Sequence, residues 1–417
     1  MRRRKNVTAR NIIDATVETC RSLCGKAPKF GVSDIIRNDQ ALQDILNGTG
    51  DVLGYIRLGN QIDQKLIEEW ITQREDGYKT RVRSDGMGAV GMGIRGPLEQ
   101  IGKNHIIHIG PTYGETFQML RQLEKSWYQN VKVTYLRAAD PQLLEKLADT
   151  ITPRTALIIF EVETNPTLVI PDMQGIANVA HAHPACPVVV CDDTFLFGLA
   201  KPFRWGVDMV VESGTKYLSG ESAWPFGSCT ISYECNERLP DLWQACMQWS
   251  ITYGGTPHPF ESFVTQAFCI RSIDERLKAH GRNALQVAQF LAEHPCVEHV
   301  VYPGLDSYPF KKNALKYIEP IDNGMYFGGM ISFSLRDADL DVAKRFLYRL
   351  GWFQASLGGR GHNMAESPAC LSHHSHTSDE RENYGIRDND IRLSVSTEDA
   401  AKTIKDLDKA LRATIHT

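Results

Sequence analysis

One lysine, Lys216, stands in a setting where a lysine side chain can do chemistry. It comes after a short apolar run at positions 208–211 and directly follows Ser213, Gly214 and Thr215. The amine of such a lysine is either a nucleophile that forms a covalent bond or an ordinary surface cation. Other segments of the chain, with residues suited to binding a ligand, decide between these two interpretations.

Polar and glycine-containing segments recur at the ends of predicted strands and at one predicted helix start. They are Ser84-Asp-Gly-Met87, Pro111-Thr-Tyr-Gly114, Glu163-Thr-Asn-Pro166 and Asp192-Asp-Thr-Phe195. Each alone is more often a turn or a cap, but ligands of an α/β sheet bind beyond the carboxyl ends of its strands. Backbone N–H groups of Gly86 and Met87 suit a phosphate, and Ser213 and Thr215 could add hydroxyl donors. Together these segments predict one ligand site.

Short apolar runs alternate with helical patterns through the first two thirds of the chain. The predicted strands are His105–Ile109, Val131–Tyr135, Ala156–Phe160, Val188–Cys191, Met209–Val211 and Cys229–Ser232, and the predicted helices are Glu115–Leu123, Pro141–Leu147 and Met173–Ala182. Continuous apolar strands alternating with helices indicate a mostly parallel sheet covered on both faces. After Gly255 a long helical region at 261–291, two antiparallel strands and a closing helix at 398–412 predict a smaller α+β domain.

Composition restricts the class of protein. The 417 residues carry a formal net charge of −4 and are 42% hydrophobic, which predicts a globular chain of two domains. The slightly acidic balance argues against a nucleic-acid partner, which calls for a basic field. No apolar run has the length of a membrane-spanning helix, and none follows the basic residues 1–5 as in a signal peptide. A cytoplasmic location without membrane contact is therefore expected.

Eight ordered segments resemble the Cys/Met-metabolism family of pyridoxal-phosphate enzymes, which includes cystathionine γ-synthase, cystathionine γ-lyase, methionine γ-lyase and cystathionine β-lyase. The segments are Tyr55-Ile-Arg57, Ser84-Asp-Gly-Met87, Tyr113-Gly-Glu-Thr116, Thr164-Asn-Pro166, Asp192-Asp-Thr-Phe195, residues 213–223, Ser356-Leu-Gly-Gly359 and residues 392–399. A series of segments in one order is far more specific than any single motif. The resemblance implies a fold-type I transferase with a mostly parallel seven-stranded sheet.

The resemblance also implies roles around the cofactor pyridoxal 5′-phosphate. Lys216 would form the internal Schiff base and move protons, Asp192 would hold the pyridinium N–H, and Tyr113 would stack on the ring. Further cofactor contacts would come from Gly86, Met87, Asn165, Thr194, Ser213 and Thr215, joined by Tyr55 and Arg57 of a neighbouring subunit. Arg392 would grip the substrate α-carboxylate, with Ser356 beside it. A catalytic role for Lys216 is thus the favoured interpretation.

Because Tyr55 and Arg57 act across a subunit interface in this family, the resemblance implies a homo-oligomer with shared active sites, usually a dimer of dimers. The predicted organisation is an N-terminal arm at 1–54 that contacts a neighbouring subunit, a cofactor-binding large domain at 55–255 and a small domain at 256–417.

Departures from the family pattern concern the substrate. Glu221 and Ala223 replace the usual His and Asp, and Gly361 replaces a glutamate that reads the distal amino group of cystathionine. Cystathionine is therefore not the expected substrate. Glu115 comes two positions after Tyr113, the predicted stacking residue. It either pairs with a cationic distal group such as an amine or guanidine, or is an ordinary acid in the first turn of a helix.

Leu357 bears on the type of reaction. Members that eliminate at Cβ often carry a bulky aromatic residue there, so the leucine favours γ-elimination or γ-replacement, with a C–S β-lyase as the alternative. A cofactor-binding protein that has lost turnover is a further alternative, which the retained Lys216, Asp192 and Arg392 disfavour. Cys370, His373, His374 and His376 are interpreted as polar loop residues, so no metal is expected.

Overall fold

The structure of the protein is a computed structural model that describes residues 61–126, 130–221, 223–352, 357–359 and 361–415. The predicted arm at 1–54, the predicted phosphate ligands Tyr55 and Arg57, and the predicted substrate contact Ser356 lie outside these residues. The domain boundary at 255/256 stays a prediction.

A seven-stranded sheet forms the larger layer. Its strands are β1 (Lys79–Arg83), β2 (His105–Gly110), β3 (Lys132–Arg137), β4 (Thr155–Glu161), β5 (Val188–Asp192), β6 (Met209–Glu212) and β7 (Gly227–Ile231), in the order β1-β7-β6-β5-β4-β2-β3. The pairs from β3 to β6 are parallel, whereas β7 runs antiparallel to both β6 and β1. The mostly parallel seven-stranded sheet is therefore confirmed.

Strand β1 is an element that the sequence pattern did not predict. Its residues Arg81 and Arg83 are charged, yet each is only 2% exposed. The guanidinium group of Arg83 donates to the backbone oxygens of Ser250 and Gly254, and Arg81 lies 3.5 Å from Glu68. Because these partners come from helices elsewhere in the chain, no local pattern marks β1 as a buried strand.

Helices cover the sheet and connect its strands. They are α1 (Ile62–Arg74), α2 (Gly86–Ile101), α3 (Gly114–Lys125), α4 (Leu143–Thr150), α5 (Met173–Ala182), α6 (Tyr233–Arg238) and α7 (Leu242–Tyr253). Asp85 caps α2 by accepting a hydrogen bond from the Gly88 amide at 2.7 Å. This cap fixes the start of α2, as an N-terminal Asp does by satisfying an amide that has no helical partner.

The long helical region predicted at 261–291 is interrupted in the structure. It consists of α8 (Pro259–Val264), a π-helical turn (Thr265–Cys269), a short 3₁₀ turn and α9 (Ile273–Glu293). The guanidinium group of Arg276 donates to the Cys269 carbonyl at the break and to the Leu218 carbonyl, each at 3.0 Å. The interruption thus lets the Cys269 carbonyl accept from Arg276, whose side chain also binds the segment after Lys216.

A four-stranded antiparallel sheet follows along the chain. Its strands β8 (Val297–Val301), β9 (Met330–Leu335), β10 (Met364–Glu366) and β11 (Asp390–Ser394) lie in the order β10-β11-β9-β8, with helices α10 (Lys311–Tyr317), α11 (Leu340–Leu350), α12 (Ser378–Tyr384) and α13 (Ala400–Ile415). Glu366 of β10 is the register partner of Arg392 in β11. Across the described ranges, no helix combines the length and apolar character needed to cross a bilayer.

Three carboxyl groups are buried together behind the ends of the central strands. Glu75, Asp193 and Glu212 are each at most 1% exposed, and the carboxyl oxygens of Glu75 and Asp193 accept no hydrogen bond from the described residues. Burial raises the pKa of Glu75 to about 7, and burial together with Glu75 and Glu212 raises the pKa of Asp193 well above its usual value. Folding therefore favours the protonated form of these groups.

Glu75→Gln is expected to stabilise the protein at alkaline pH. The carboxyl group contributes its full stability below its unfolded pKa. This contribution is lost as the pH rises through the folded value of about 7, because the unfolded state ionises freely whereas the buried group ionises or stays protonated only at a cost. The free energy of unfolding in urea should rise by on the order of 1–3 kcal/mol at about pH 8.5, with a much smaller change at about pH 5.

Glu99→Gln, which neutralises an exposed carboxylate of α2, is the matched control and should leave both values unchanged. A gain in stability for Glu75→Gln that is the same at both pH values would contradict the assignment.

Candidate active site

A cavity of about 480 Å³ lies where the carboxyl ends of β4, β5 and β6 meet the start of α2 and the strands β10 and β11. The residues that line it are Asp85, Gly86, Met87, Val90, Tyr113, Glu115, Glu161, Glu163, Asn165, Asp192, Thr194, Phe195, Ser213, Lys216, Leu357, Glu366, Leu371, Ser372, His374 and Arg392. The structure thus brings together most of the predicted site residues.

One end of the cavity is built for an anion. The start of α2 and the segment after β6 approach so closely that a Cβ atom on Gly86 would lie 2.7 Å from the Ser213 Cβ, so only glycine fits there. The Ser213 amide donates to Thr194 Oγ1 at 2.8 Å, which holds the Ser213 segment beside the helix start. Unpartnered amides at a helix start together with hydroxyl groups are a common phosphate site.

Thr215, also predicted to contact the phosphate, is not among the described residues that line the cavity. Its hydroxyl group accepts a hydrogen bond from the Phe226 amide at 2.8 Å and donates to the Phe226 carbonyl at 3.1 Å. These bonds tie the Lys216 segment to the start of β7. A cofactor contact of Thr215 stays a prediction.

Asp192 at the end of β5 presents a carboxyl group to the cavity. The amide and the hydroxyl group of Thr194 both donate to Asp192 Oδ1, at 2.9 and 2.6 Å. Because both bonds use one oxygen, Oδ2 can accept from an N–H group of a ligand. Burial raises the pKa of Asp192, and the two bonds from Thr194 oppose the rise. A cationic N–H donor in the cavity would favour the ionised form.

Lys216 has the electrostatics of a reactive amine. Burial first, and then the positive charge of Arg392, lower its pKa to about 8, while Glu366 opposes this effect. A larger fraction of the amine is therefore neutral and nucleophilic near neutral pH than for an exposed lysine. This is the environment that a lysine forming a covalent bond to a carbonyl carbon requires.

Glu161, at the end of β4, positions two of the predicted residues. Its Oε1 accepts from the Tyr113 amide at 2.7 Å and its Oε2 from the Asn165 amide at 2.6 Å. The Tyr113 ring is 41% exposed in the single chain, and burial of its hydroxyl group and the nearby Glu115 raise its pKa. Glu161 was not predicted from the sequence, and its only signal is a carboxylate at the end of an apolar strand.

Arg392 offers a carboxylate-binding group at the other end of the cavity. Its Nη1 donates to Asn165 Oδ1 at 2.7 Å and its Nη2 lies 3.1 Å from Glu366 Oε1. Both charged side chains are buried, at 5% and 3% exposure. Glu366 was missed in the sequence, because its partner is 26 positions away and only the register of β10 and β11 brings them together. A planar guanidinium group held in this way suits bidentate binding of a carboxylate.

Glu115, a predicted substrate contact, lines the cavity, and so does Leu357, the residue that bears on the type of reaction. Leu357 is buried, whereas Glu115 is exposed at the first turn of α3. Gly361, which replaces a family glutamate, is not among the described residues that line the cavity. Glu366 of β10 is an acidic residue that does line the cavity.

The histidine-rich loop serves packing and hydrogen bonding in the described structure. The His373 ring donates from Nε2 to the Thr112 carbonyl at 3.0 Å, and the His376 ring stacks on Phe117 with 4.0 Å between centroids. Among the described residues, no three or more His, Cys, Asp or Glu side chains are arranged to hold a metal ion.

The cavity fits pyridoxal 5′-phosphate on its own chemistry. Its anion site at Gly86 and Ser213, its carboxyl acceptor at Asp192 and its lysine of lowered pKa match the three reactive parts of that cofactor, namely phosphate, ring nitrogen and aldehyde. The Tyr113 ring lies in the same wall and could cover the flat face of the cofactor ring.

Comparison with known proteins places the chain in one family. The model of the Cys/Met metabolism PLP-dependent enzyme family matches residues 36–412. The chain is 33% identical over 374 residues to cystathionine gamma-synthase of Mycobacterium tuberculosis (88% of this chain, 89% of the relative) and 34% identical over 312 residues to cystathionine gamma-lyase of Sus scrofa (74% and 72%).

A solved structure shows the same architecture. Cystathionine gamma synthase from Xanthomonas oryzae pv. oryzae, in complex with cystathionine, superposes with a TM-score of 0.81 at 26% identity and covers 99% of this chain and 100% of its own. The predicted fold-type I architecture and the cofactor are thereby confirmed. With its sheet, its reactive lysine and this likeness in agreement, the chain belongs to the Cys/Met metabolism family of PLP-dependent enzymes.

Proposed function

We propose that the protein catalyses γ-elimination or γ-replacement on a γ-substituted L-amino acid. The observation that carries the proposal is the meeting of Lys216, with its pKa lowered to about 8, with Asp192 and Arg392 in one cavity. An amino acid held by its α-carboxylate at Arg392 would present its Cα–H bond toward the lysine. Bond breaking at Cα needs a base and an electron sink at that point.

Each of these residues has a distinct task. Pyridoxal phosphate, when bound, supplies the electron sink. Asp192 would hold a positive charge on the ring nitrogen and Arg392 would orient the α-carboxylate. The Lys216 amine would take the proton from Cα and then one from Cβ, so that the γ substituent can leave with its bonding electrons. A base near neutral pH is most effective when its pKa is close to the working pH, and burial has moved the pKa of Lys216 in that direction.

Leu357 supports a reaction at Cγ rather than at Cβ. It is a buried aliphatic residue in the wall of the cavity, and an aliphatic side chain leaves more room beside the substrate than an aromatic ring does. A longer, γ-substituted side chain needs that room. A C–S β-lyase activity is the competing outcome of the experiment below.

The substrate is proposed to carry a cationic distal group, such as an amine or guanidine, and not to be cystathionine. Glu115 lines the cavity, and its side-chain carboxylate makes no hydrogen bond or ion pair with another described residue. A carboxylate with no partner in a ligand cavity is a natural acceptor for a cation. The absence of a glutamate at position 361 fits the same substrate class.

A homo-oligomer with shared active sites completes the proposal, because the predicted phosphate ligands Tyr55 and Arg57 would come from a neighbouring subunit. A dimer of dimers and a cytoplasmic location stay predictions.

The type of reaction is tested by product analysis. Purified, PLP-loaded protein is given methionine, cystathionine, O-acyl homoserines, canavanine and β-substituted amino acids, while ammonia and 2-oxo acids are quantified. Release of 2-oxobutanoate, or of another product broken at Cγ, is expected. The blank is Lys216→Ala, in which turnover should fall by at least about a thousandfold because the base is lost. Pyruvate from β-substituted substrates would make the protein a β-lyase and refute the γ assignment.

Glu115→Gln is expected to lower kcat/KM for cationic substrates by roughly 10–100-fold, because it removes one charge-assisted hydrogen bond. Neutral substrates should lose less than about threefold. The conservative control is Glu124→Gln, which changes an exposed carboxylate of the same helix. If the ranking of substrates were the same in wild type and Glu115→Gln, the acid would be an ordinary helix-start residue.

Shared active sites are tested by mixing two inactive variants. Arg57→Ala and Lys216→Ala should each be inactive, but after unfolding and refolding together about a quarter of wild-type activity is expected, since one site of every hybrid dimer has both native residues. Mixing without subunit exchange is the control. Activity that stays at the level of the separate variants would place Arg57 and Lys216 in the site of the same subunit.

A further inference from the structure

The loop at residues 371–376 forms one wall of the cavity mouth and carries a histidine that the proposed mechanism does not use. Leu371, Ser372 and His374 of this loop line the cavity together with Glu115. His374 and Glu115 are both exposed to solvent within the single chain. Two side chains with hydrogen-bonding groups therefore lie at the opening through which a substrate side chain would extend.

Direct contacts fix this loop against the start of α3. His373 Nε2 donates to the Thr112 carbonyl at 3.0 Å. The backbone at Gly114 approaches the Ser372 carbonyl so closely that a Cβ atom on Gly114 would lie 2.0 Å from that oxygen. Glu115 follows Gly114 directly, and His374 comes two positions after Ser372. These contacts hold the segment before His374 against the segment before Glu115, and both side chains line the same cavity.

The hydrogen bond of His374 determines which nitrogen can bind a ligand. Its Nδ1 lies 2.7 Å from the Leu371 carbonyl oxygen. A carbonyl oxygen can only accept, so Nδ1 carries the proton. In the neutral imidazole Nε2 is then an acceptor, and the loop holds the ring in this tautomer.

We propose that His374 is a specificity-determining residue whose Nε2 accepts a hydrogen bond from the distal group of the substrate, beside the carboxylate of Glu115. This inference rests on the proposed γ-type function and narrows its substrate class. Two acceptors in one cavity, one of them an anion, match a group that has several N–H donors in one plane and a positive charge, which is a guanidinium group. A single ammonium group presents no such planar fork. The geometry therefore favours a guanidino-type distal group.

The test compares two unreactive ligands on the PLP-loaded enzyme. L-Arginine and L-citrulline have nearly the same shape, but the end group of arginine is a cationic guanidinium and that of citrulline a neutral urea. Both carry a carbon substituent at Cγ that cannot leave, so binding is measured without turnover through the change in cofactor absorbance. Wild type should bind arginine more tightly than citrulline. His374→Ala should reduce this preference by about tenfold.

Two variants separate recognition from packing. His374→Gln keeps an amide oxygen that can accept a hydrogen bond and should retain part of the preference. His299→Ala removes an exposed histidine of β8 and should behave as wild type. An equal loss of affinity for both ligands in His374→Ala that His374→Gln does not partly restore would assign the residue to loop structure and overturn the proposal.

A wild-type enzyme that binds arginine and citrulline equally would overturn it as well, even if γ-substituted neutral amino acids are cleaved at Cγ. Conversely, a preference for arginine that His374→Ala abolishes would support His374 as the reader of the distal group even if the products come from Cβ. Failure of the His374 proposal and failure of the proposed γ-type function can therefore be told apart.

Discussion

The active site depends on a single buried carboxyl group at the end of the central strand β4. Glu161 accepts the amides of Tyr113 and Asn165 at 2.7 and 2.6 Å, and Asn165 in turn accepts from Arg392 at 2.7 Å. Burial raises the pKa of Glu161, and the two amides and Arg392 oppose the rise. A buried carboxyl group without such donors would destabilise the fold. These bonds connect the large sheet to β11 and fix three ligand-facing groups relative to one another.

The central strands could be predicted because they are buried on both faces and read as continuous apolar runs, as at Ile106–Ile109 and Val188–Cys191. Strand β1 could not, because the partners of Arg81 and Arg83 lie in α1 and near the end of α7. The break between α8 and α9 could not be predicted either. At the break the Arg276 side chain donates to the Cys269 carbonyl, and the same side chain donates to the Leu218 carbonyl in the distant segment after Lys216. In each case a contact between distant segments decides the local structure.

The cofactor side of the site was predictable, whereas part of the substrate side was not. Asp192 ends β5, and Ser213 and Lys216 come within four residues of the end of β6, so their shared edge of the sheet follows from topology. Glu366 and His374 belong to β10 and to the loop after it, and neither has a periodic pattern. Their places in the cavity arise from the register of β10 with β11 and from the contact of the loop with α3. Such tertiary contacts leave no trace in a single sequence.

The charges of the cavity are the basis for proposing a substrate with a cationic side chain. Of the carboxyl groups in its wall, Asp85 caps α2, Glu161 binds two amides, and Glu366 pairs with Arg392. Asp192 accepts from Thr194 and would bind the ring nitrogen of the cofactor. Burial raises the pKa of Glu163 well above its usual value, which favours its protonated form. Glu115 is left as an exposed carboxylate at the mouth. A substrate whose α-carboxylate binds Arg392 and whose far end is positive would place an opposite charge beside both Arg392 and Glu115. A side chain that ends in a carboxylate would be repelled by Glu115.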